Sequence, residues 1–176
     1  MPVDSPSEVR PVFTLSTGED MMLVHEELLG EFHVFAKTAP SAEALMERIA
    51  HGLHEKMTRY NWVGFYLIDP ADPAALIIGP YVGSFTPKAR ITINSGLCGA
   101  AATSGQTVVV DDVALDPRYL AGSSMVNSEM VVPIFAKNKF IAELDIDSHF
   151  AGTFAKAEQV FVEACAHIVG KYLEHK

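Results

Sequence analysis

Ser128–Ser148 reads SEMVVPIFAKNKFIAELDIDS, two β-prone arms around a polar turn. The second arm alternates: Phe140, Ala142, Leu144 and Ile146 fall on one side, and Ile141, Glu143, Asp145 and Asp147 on the other. Successive side chains of a strand point to opposite faces, so this is the period of a half-buried strand. The first arm, Glu129–Phe135, is an apolar run broken by Pro133. Between them Lys137-Asn138-Lys139 makes a short turn in which Asn138 tolerates a left-handed backbone. The prediction is a β-hairpin with one apolar face and one face of carboxylates. Counting in twos from Glu129 puts Val131, Pro133 and Phe135 on its face, and closure on the Asn138 turn lets Glu129 share a face with Asp145 and Asp147. Acids gathered on one sheet face repel one another unless something cationic lies between them. The hairpin therefore points to a site for an ammonium group, a metal ion, or a paired Lys88 or Arg90.

Composition bounds the remaining possibilities. The 176 residues suit one domain with a proper core, and 49% hydrophobic with 20% charged residues is the balance of a folded globular chain. A formal charge of −9 argues against a nucleic-acid groove or an anionic membrane surface, both of which need basic patches. No apolar run has the length of a membrane span, and the N-terminus lacks a signal-peptide core, so a cytoplasmic protein is expected. Two cysteines, Cys98 and Cys165, make neither a disulfide framework nor a zinc motif. His51 and His54 are spaced i, i+3 without a third ligand, and no metal or cofactor is expected.

Outward from the hairpin, the chain divides into segments. Residues 1–19 are rich in Pro, Ser and charge and predict a flexible lead before a single domain over 20–176. Val24, Leu28, Phe32 and Phe35 recur at spacings of three and four, predicting a helix over 20–38 that stops at Ala39-Pro40. Ser41 is a good N-cap for a second helix with Leu45, Ile49, Leu53 and Met57 inward, ending near Arg59. Strands are predicted over 61–69, 76–82, 89–93 and 106–110, with Pro80 marking an edge or a bulge. A glycine-containing turn, Asn94–Gly99, leads into a short helix from Ala100 to Ser104, placing Cys98 just before a helix whose dipole lowers a thiol pKa. Residues 111–127 have no period and predict a lid loop. A last helix over 153–176 carries Phe161, Cys165, Ile168 and Tyr172 on one face. The expected fold is α+β: an antiparallel sheet of about six strands, with N- and C-terminal helices on one face and the lid over the other.

Three motifs make the chain recognisable: NWVGFY at 61–66, SGLCGAAA at 95–102, and SEMVVP followed by ELDIDS within the hairpin. Together, over roughly 32–172, they resemble the GAF domains of the free methionine-(R)-sulfoxide reductase family, which are similar in fold to GAF and PAS sensor modules. The resemblance implies a pocket in which Trp62 and Tyr66 hold the methyl sulfoxide and Glu129, Asp145 and Asp147 take the free amino group and sulfoxide. It also implies chemistry in which a thiolate attacks the sulfoxide sulfur, a second cysteine resolves the resulting sulfenic acid, and thioredoxin restores the enzyme.

This chain departs from that pattern at the reacting end. Gly122 aligns with the attacking cysteine of the lid, Ser123 with an Asp, and Lys88 with another family cysteine. Only Cys98 matches, at the position of a secondary thiol. Serine cannot substitute, because its oxygen has no accessible redox ladder. Glu143 stands where the family has an apolar residue. The leading expectation is a small-molecule-binding GAF domain for a compact zwitterion or cation, without standard reductase activity. The alternatives are a reductase that uses Cys98 with thioredoxin or glutathione as the resolving thiol, and an interaction module that dimerises through its terminal helices.

Overall fold

The computed structural model describes residues 18–176, so most of the expected lead lies outside the described residues. Helix α1 (Gly18–Ala36) and helix α2 (Ala42–Lys56) come first, followed by strands β1 (Trp62–Asp69), β2 (Asp72–Gly83) and β3 (Arg90–Thr92). Helix α3 (Gly96–Ser104), strands β4 (Val108–Val110), β5 (Ser128–Ala136) and β6 (Lys139–Ser148), and helix α4 (Lys156–Glu174) complete the chain. All strand pairs are antiparallel, in the order β3-β2-β1-β6-β5-β4. The α+β expectation holds, and the opening hairpin forms half of the sheet's centre. Among the described residues no helix is long and apolar enough to cross a membrane.

The local signals explain the elements. Ser41 caps α2 by accepting the Ala44 N–H at 3.1 Å, and the buried stripe is Leu45, Ile49 and Leu53, with Met57 as the C-cap. Helices α1, α2 and α4 cover one sheet face, where Phe32, Leu53, Phe161 and Val169 pack on Phe65, Val132 and Leu144. Burying each such side chain is worth about 1.5–3 kcal/mol over leaving it in water. Helix α4 lies so close to β5 that a Cβ on Gly170 would run into the Phe135 carbonyl oxygen.

Several boundaries differ from the sequence reading. Helix α2 stops at Lys56, three residues before Arg59, and β2 begins at Asp72. Pro80 sits at a bulge, where Gly64 and Tyr66 of β1 pair with Tyr81 and Ile78. The hairpin turns on two residues, Lys137 and Asn138, both with positive φ (49° and 60°). A second bulge leaves Ile141 without a partner between the pairs Ile134–Ala142 and Phe135–Phe140. An extra residue reverses the alternation, so Phe140 packs with the cluster on the far side of the sheet, away from Ala142 and Leu144. Helix α3 starts at Gly96, four residues earlier than expected, which puts Cys98 inside it.

Candidate functional site

On the sheet face away from the helices, register sets side chains in rows. Trp62, Asp147 and Glu129 are neighbours across β1, β6 and β5; Gly64, Asp145 and Val131 form the next row; Tyr66, Glu143 and Pro133 the third. Directly opposed residues have Cβ atoms about 4.5–5.5 Å apart, so four acids share one patch. Above it lie the start of α3 and the loop over 111–127. The loop is stiffened by its own short polar turns: Asp112 accepts from the Ala114 N–H at 3.0 Å, Asp116 from the Arg118 N–H at 2.9 Å, and Ser123 from the Met125 N–H at 3.2 Å. The Arg118 side chain also donates to Asp116, whose carboxyl is held down at about 2.

A cavity of about 50 Å³ remains between sheet, helix and loop. The structure brings Trp62, Tyr66, Glu129, Asp145, Asp147 and Cys98 together on its wall, and Gly122 lies on the lid side of the same space. Trp62 is wholly buried, and its indole lies over Gly64, where a Cβ would come within 2.8 Å of the ring. The missing side chain two residues along the strand is what lets the indole lie flat. Its ring stacks on Phe85 (centroids 5.3 Å apart) and Tyr81 (5.8 Å), and its N–H has no acceptor among the described residues. Tyr66 donates its hydroxyl to the Lys88 carbonyl at 2.9 Å, and its side chain lines the cavity. Phe85, Tyr119 and Leu120 also line the cavity. Sequence reasoning missed all three because they lie between elements, where no periodicity assigns a face.

The acids are buried, and among the described residues none of them has a counter-ion. Glu129, Asp145 and Asp147 are 7, 6 and 6% exposed and Glu143 is fully buried. The candidate partners from sequence do not serve: Arg90 pairs with Asp69 and Asp72 at the turn between β1 and β2, and the Lys88 ammonium pairs with none of the four. Burial, reinforced by the Glu143 charge, pushes Asp145 up to about 8, and burial pushes Glu143 up to about 8. Glu129 and Asp147 are raised well above the usual range by burial and by the neighbouring carboxylates. The expected lowering of the Cys98 thiol by a helix dipole is overturned. Cys98 is the third residue of α3 and is buried; its thiol donates to Asp145 Oδ2 at 3.5 Å. Burial, and then the charges of Asp145, Glu143 and Glu129, push it well up.

Cys98, Glu129 and Asp145 are also the donor set that could hold a metal ion, each offering one atom within 4.8 Å of the others. The His51–His54 pair plays no part in the cavity: His51 is exposed, and His54 Nδ1 donates to the Tyr60 carbonyl at 2.9 Å. Cys165 is fully buried on the apolar stripe of α4.

The GAF domain profile matches residues 41–173. This chain belongs to the GAF domain family. Within that family it is similar to a free methionine-R-sulfoxide reductase of Escherichia coli (strain K12), 31% identical over 135 residues covering 77% of this chain and 79% of the relative. It is also similar to the free methionine-R-sulfoxide reductase of Saccharomyces cerevisiae, 32% identical over 124 residues covering 70% of this chain and 68% of the relative. The solved structure of free methionine-R-sulfoxide reductase from Neisseria meningitidis, in complex with its substrate, superposes with a TM-score of 0.83 at 32% identity, over 90% of this chain and 93% of that one. The resemblance read from the three motifs is thus borne out, as is the GAF fold.

Proposed function

We propose that this GAF protein binds a small zwitterion of the methionine sulfoxide kind and does not reduce it by the route its relatives' names imply. One observation carries the reading: Glu129, Asp145 and Asp147 line one cavity beside Trp62 and Tyr66 on the same sheet face, while the lid over it carries Gly122, which has no side chain to react. A ligand ammonium group supplies the positive charge that the buried carboxylates lack. The aromatic wall takes a methyl–sulfur end, since sulfur packs well against ring edges. The start of α3, where Ser95 makes no side-chain cap, offers free backbone N–H groups to a ligand carboxylate. The cavity is tight, and Tyr119, Leu120 and Gly122 of the lid border it. A cytoplasmic setting fits this ligand class.

The alternative, reduction by Cys98 with an external thiol, runs against the electrostatics. A nucleophilic cysteine needs thiolate, and burial among carboxylates keeps the Cys98 proton on. The two readings separate in one assay: free methionine-(R)-sulfoxide with thioredoxin, its reductase and NADPH. The expected result is no NADPH consumption together with a raised melting temperature on adding the sulfoxide. Turnover that vanishes in Cys98→Ser overturns the non-catalytic reading, and the absence of any thermal shift overturns the ligand. Dimerisation through the terminal helices is a further part of the proposal. Met22, Leu23 and Val34 are exposed on α1, and light scattering of the intact chain measures it.

A further inference from the structure

We propose that the inner end of the cavity is a metal site in which Cys98, Glu129 and Asp145 hold one divalent transition-metal ion of the Zn²⁺ class, with Glu143 supplying buried charge behind them. The inference goes beyond the zwitterion reading and does not rest on it; a bound ion takes up Glu129 and Asp145, so of the three carboxylates only Asp147 stays with Trp62 and Tyr66 for a ligand ammonium group.

The first support is geometric. Zinc holds thiolate and carboxylate donors at about 2.0–2.3 Å in a tetrahedron, so neighbouring donors lie roughly 3.3–3.8 Å apart. Cys98 Sγ and Asp145 Oδ2 are 3.5 Å apart, and all three donors fall within 4.8 Å of one another. Small side-chain rotations close the remainder. Three protein donors leave a fourth position open toward the cavity, and a space of about 50 Å³ suits an ion with its water.

The second support is independent of that set. Glu143 is fully buried, and among the described residues its carboxyl oxygens meet no donor other than the Cys98 thiol. It sits two residues from Asp145 on the same strand face, beside the Cys98 thiol. Asp145 Oδ1 and Asp147 Oδ1 are likewise buried and unpartnered. A buried polar atom without a partner carries its desolvation cost uncompensated, the more so when charged. A dication compensates this cluster in a way that one ammonium group at the rim does not. The thiolate sets the class of ion: sulfur favours Zn²⁺ or Co²⁺ over the oxygen-seeking Mg²⁺ and Ca²⁺. Binding replaces the thiol proton and any carboxyl protons, which go to solvent.

The test strips the intact chain with chelator and titrates it with Zn²⁺ and with Co²⁺ at pH 7.5. One equivalent is expected to bind, and the Co²⁺ form is expected to show a sulfur-to-cobalt charge-transfer band. Cys98→Ala should abolish the band, Cys165→Ser should leave it unchanged, and Glu143→Gln, nearly isosteric, should weaken binding about 10–100-fold. Millimolar Mg²⁺ should not displace the ion. The proposal is overturned by no stoichiometric binding to wild type, by binding without a charge-transfer band, or by a band that persists in Cys98→Ala. The wild-type spectrum decides even where a variant fails to fold. Methionine sulfoxide added to the metal-free chain separates the two ideas: a thermal shift without Zn²⁺ binding keeps the ligand and removes the metal, and the reverse pattern does the opposite.

Discussion

Cys98 and Asp145, 47 residues apart in sequence, meet at 3.5 Å, with the thiol donating to a carboxyl group that forms no ion pair among the described residues. A carboxyl group so placed binds its proton more tightly in the folded chain than in the unfolded one, and the chain's stability inherits that difference.

Metal-free protein should therefore lose stability as pH rises. Asp145 and Glu143 titrate at about 8 when folded, against ordinary values near 4 in the unfolded chain. Between those limits the folded state holds the extra protons, so their stabilisation is complete below about pH 4 and is lost as pH passes through about 8. Each such group gives a slope of at most about −1.4 kcal/mol per pH unit. His25, lowered by burial, works the other way below about pH 6.5, which makes pH 7 to 8.5 the window to read. Denaturant midpoints in chelator should fall across it; a flat or rising profile rejects the buried cluster.

Glu143 gives the sharpest single test of that cluster. Glu143→Gln keeps the shape and removes the charge, so it should raise stability at pH 8.5 by on the order of 1 kcal/mol and barely change it at pH 5. The same substitution without Zn²⁺ should flatten the pH slope. Equal effects at both pH values would mean the carboxyl is not being forced to ionise in the fold.

The hairpin and its carboxylate face were legible because period-two alternation needs only side-chain type. The family motifs brought Trp62 and Tyr66 with them, both on one parity of β1. What alternation could not reveal was depth. Glu143 reads only as one more acid on the face of Asp145 and Asp147, at a position the family resemblance makes apolar, yet it is fully buried; α3 begins at Gly96 and not at Ala100. That shift also carried Cys98 from an assumed electropositive helix start into a nest of acids. Phe140 misled for a different reason: one unpaired residue, Ile141, reverses the face, and this bulge, unlike the one at Pro80, leaves no mark in the residue pattern. Phe85 and Tyr119 come from loops whose course only the folded chain defines.

Gly64 should prove indispensable to the aromatic wall. Gly64→Ala places a methyl against the Trp62 ring, and overpacking of this kind costs about 1–3 kcal/mol. Because Trp62 is the only tryptophan, its fluorescence reports the displacement directly, as a red-shifted maximum in the native state. An unchanged spectrum would show that the indole does not lie over this glycine. Gly170→Ala is the matching test on the other face, and it should cost at least as much, since the obstruction there is the Phe135 backbone and not a movable side chain.

Gly122→Cys should give the lid a thiol where the family resemblance implies the attacking cysteine. The backbone at Gly122 needs no left-handed conformation, and a Cβ there meets the Phe85 ring at 3.0 and 3.3 Å. That contact is tight, but it falls on a side chain at the cavity rim that can move aside. A thiol at this position projects from the lid, away from the inner carboxylates that hold the Cys98 proton, so more of it ionises at neutral pH. Holding that thiolate over a bound sulfoxide turns an encounter into a positioned attack. The expected outcome is NADPH-linked reduction of free methionine-(R)-sulfoxide by Gly122→Cys with thioredoxin, faster in the double variant with Phe85→Leu, and absent from wild type. If Gly122→Cys is inert although the sulfoxide still raises its melting temperature, the missing lid thiol is not what separates this chain from a reductase.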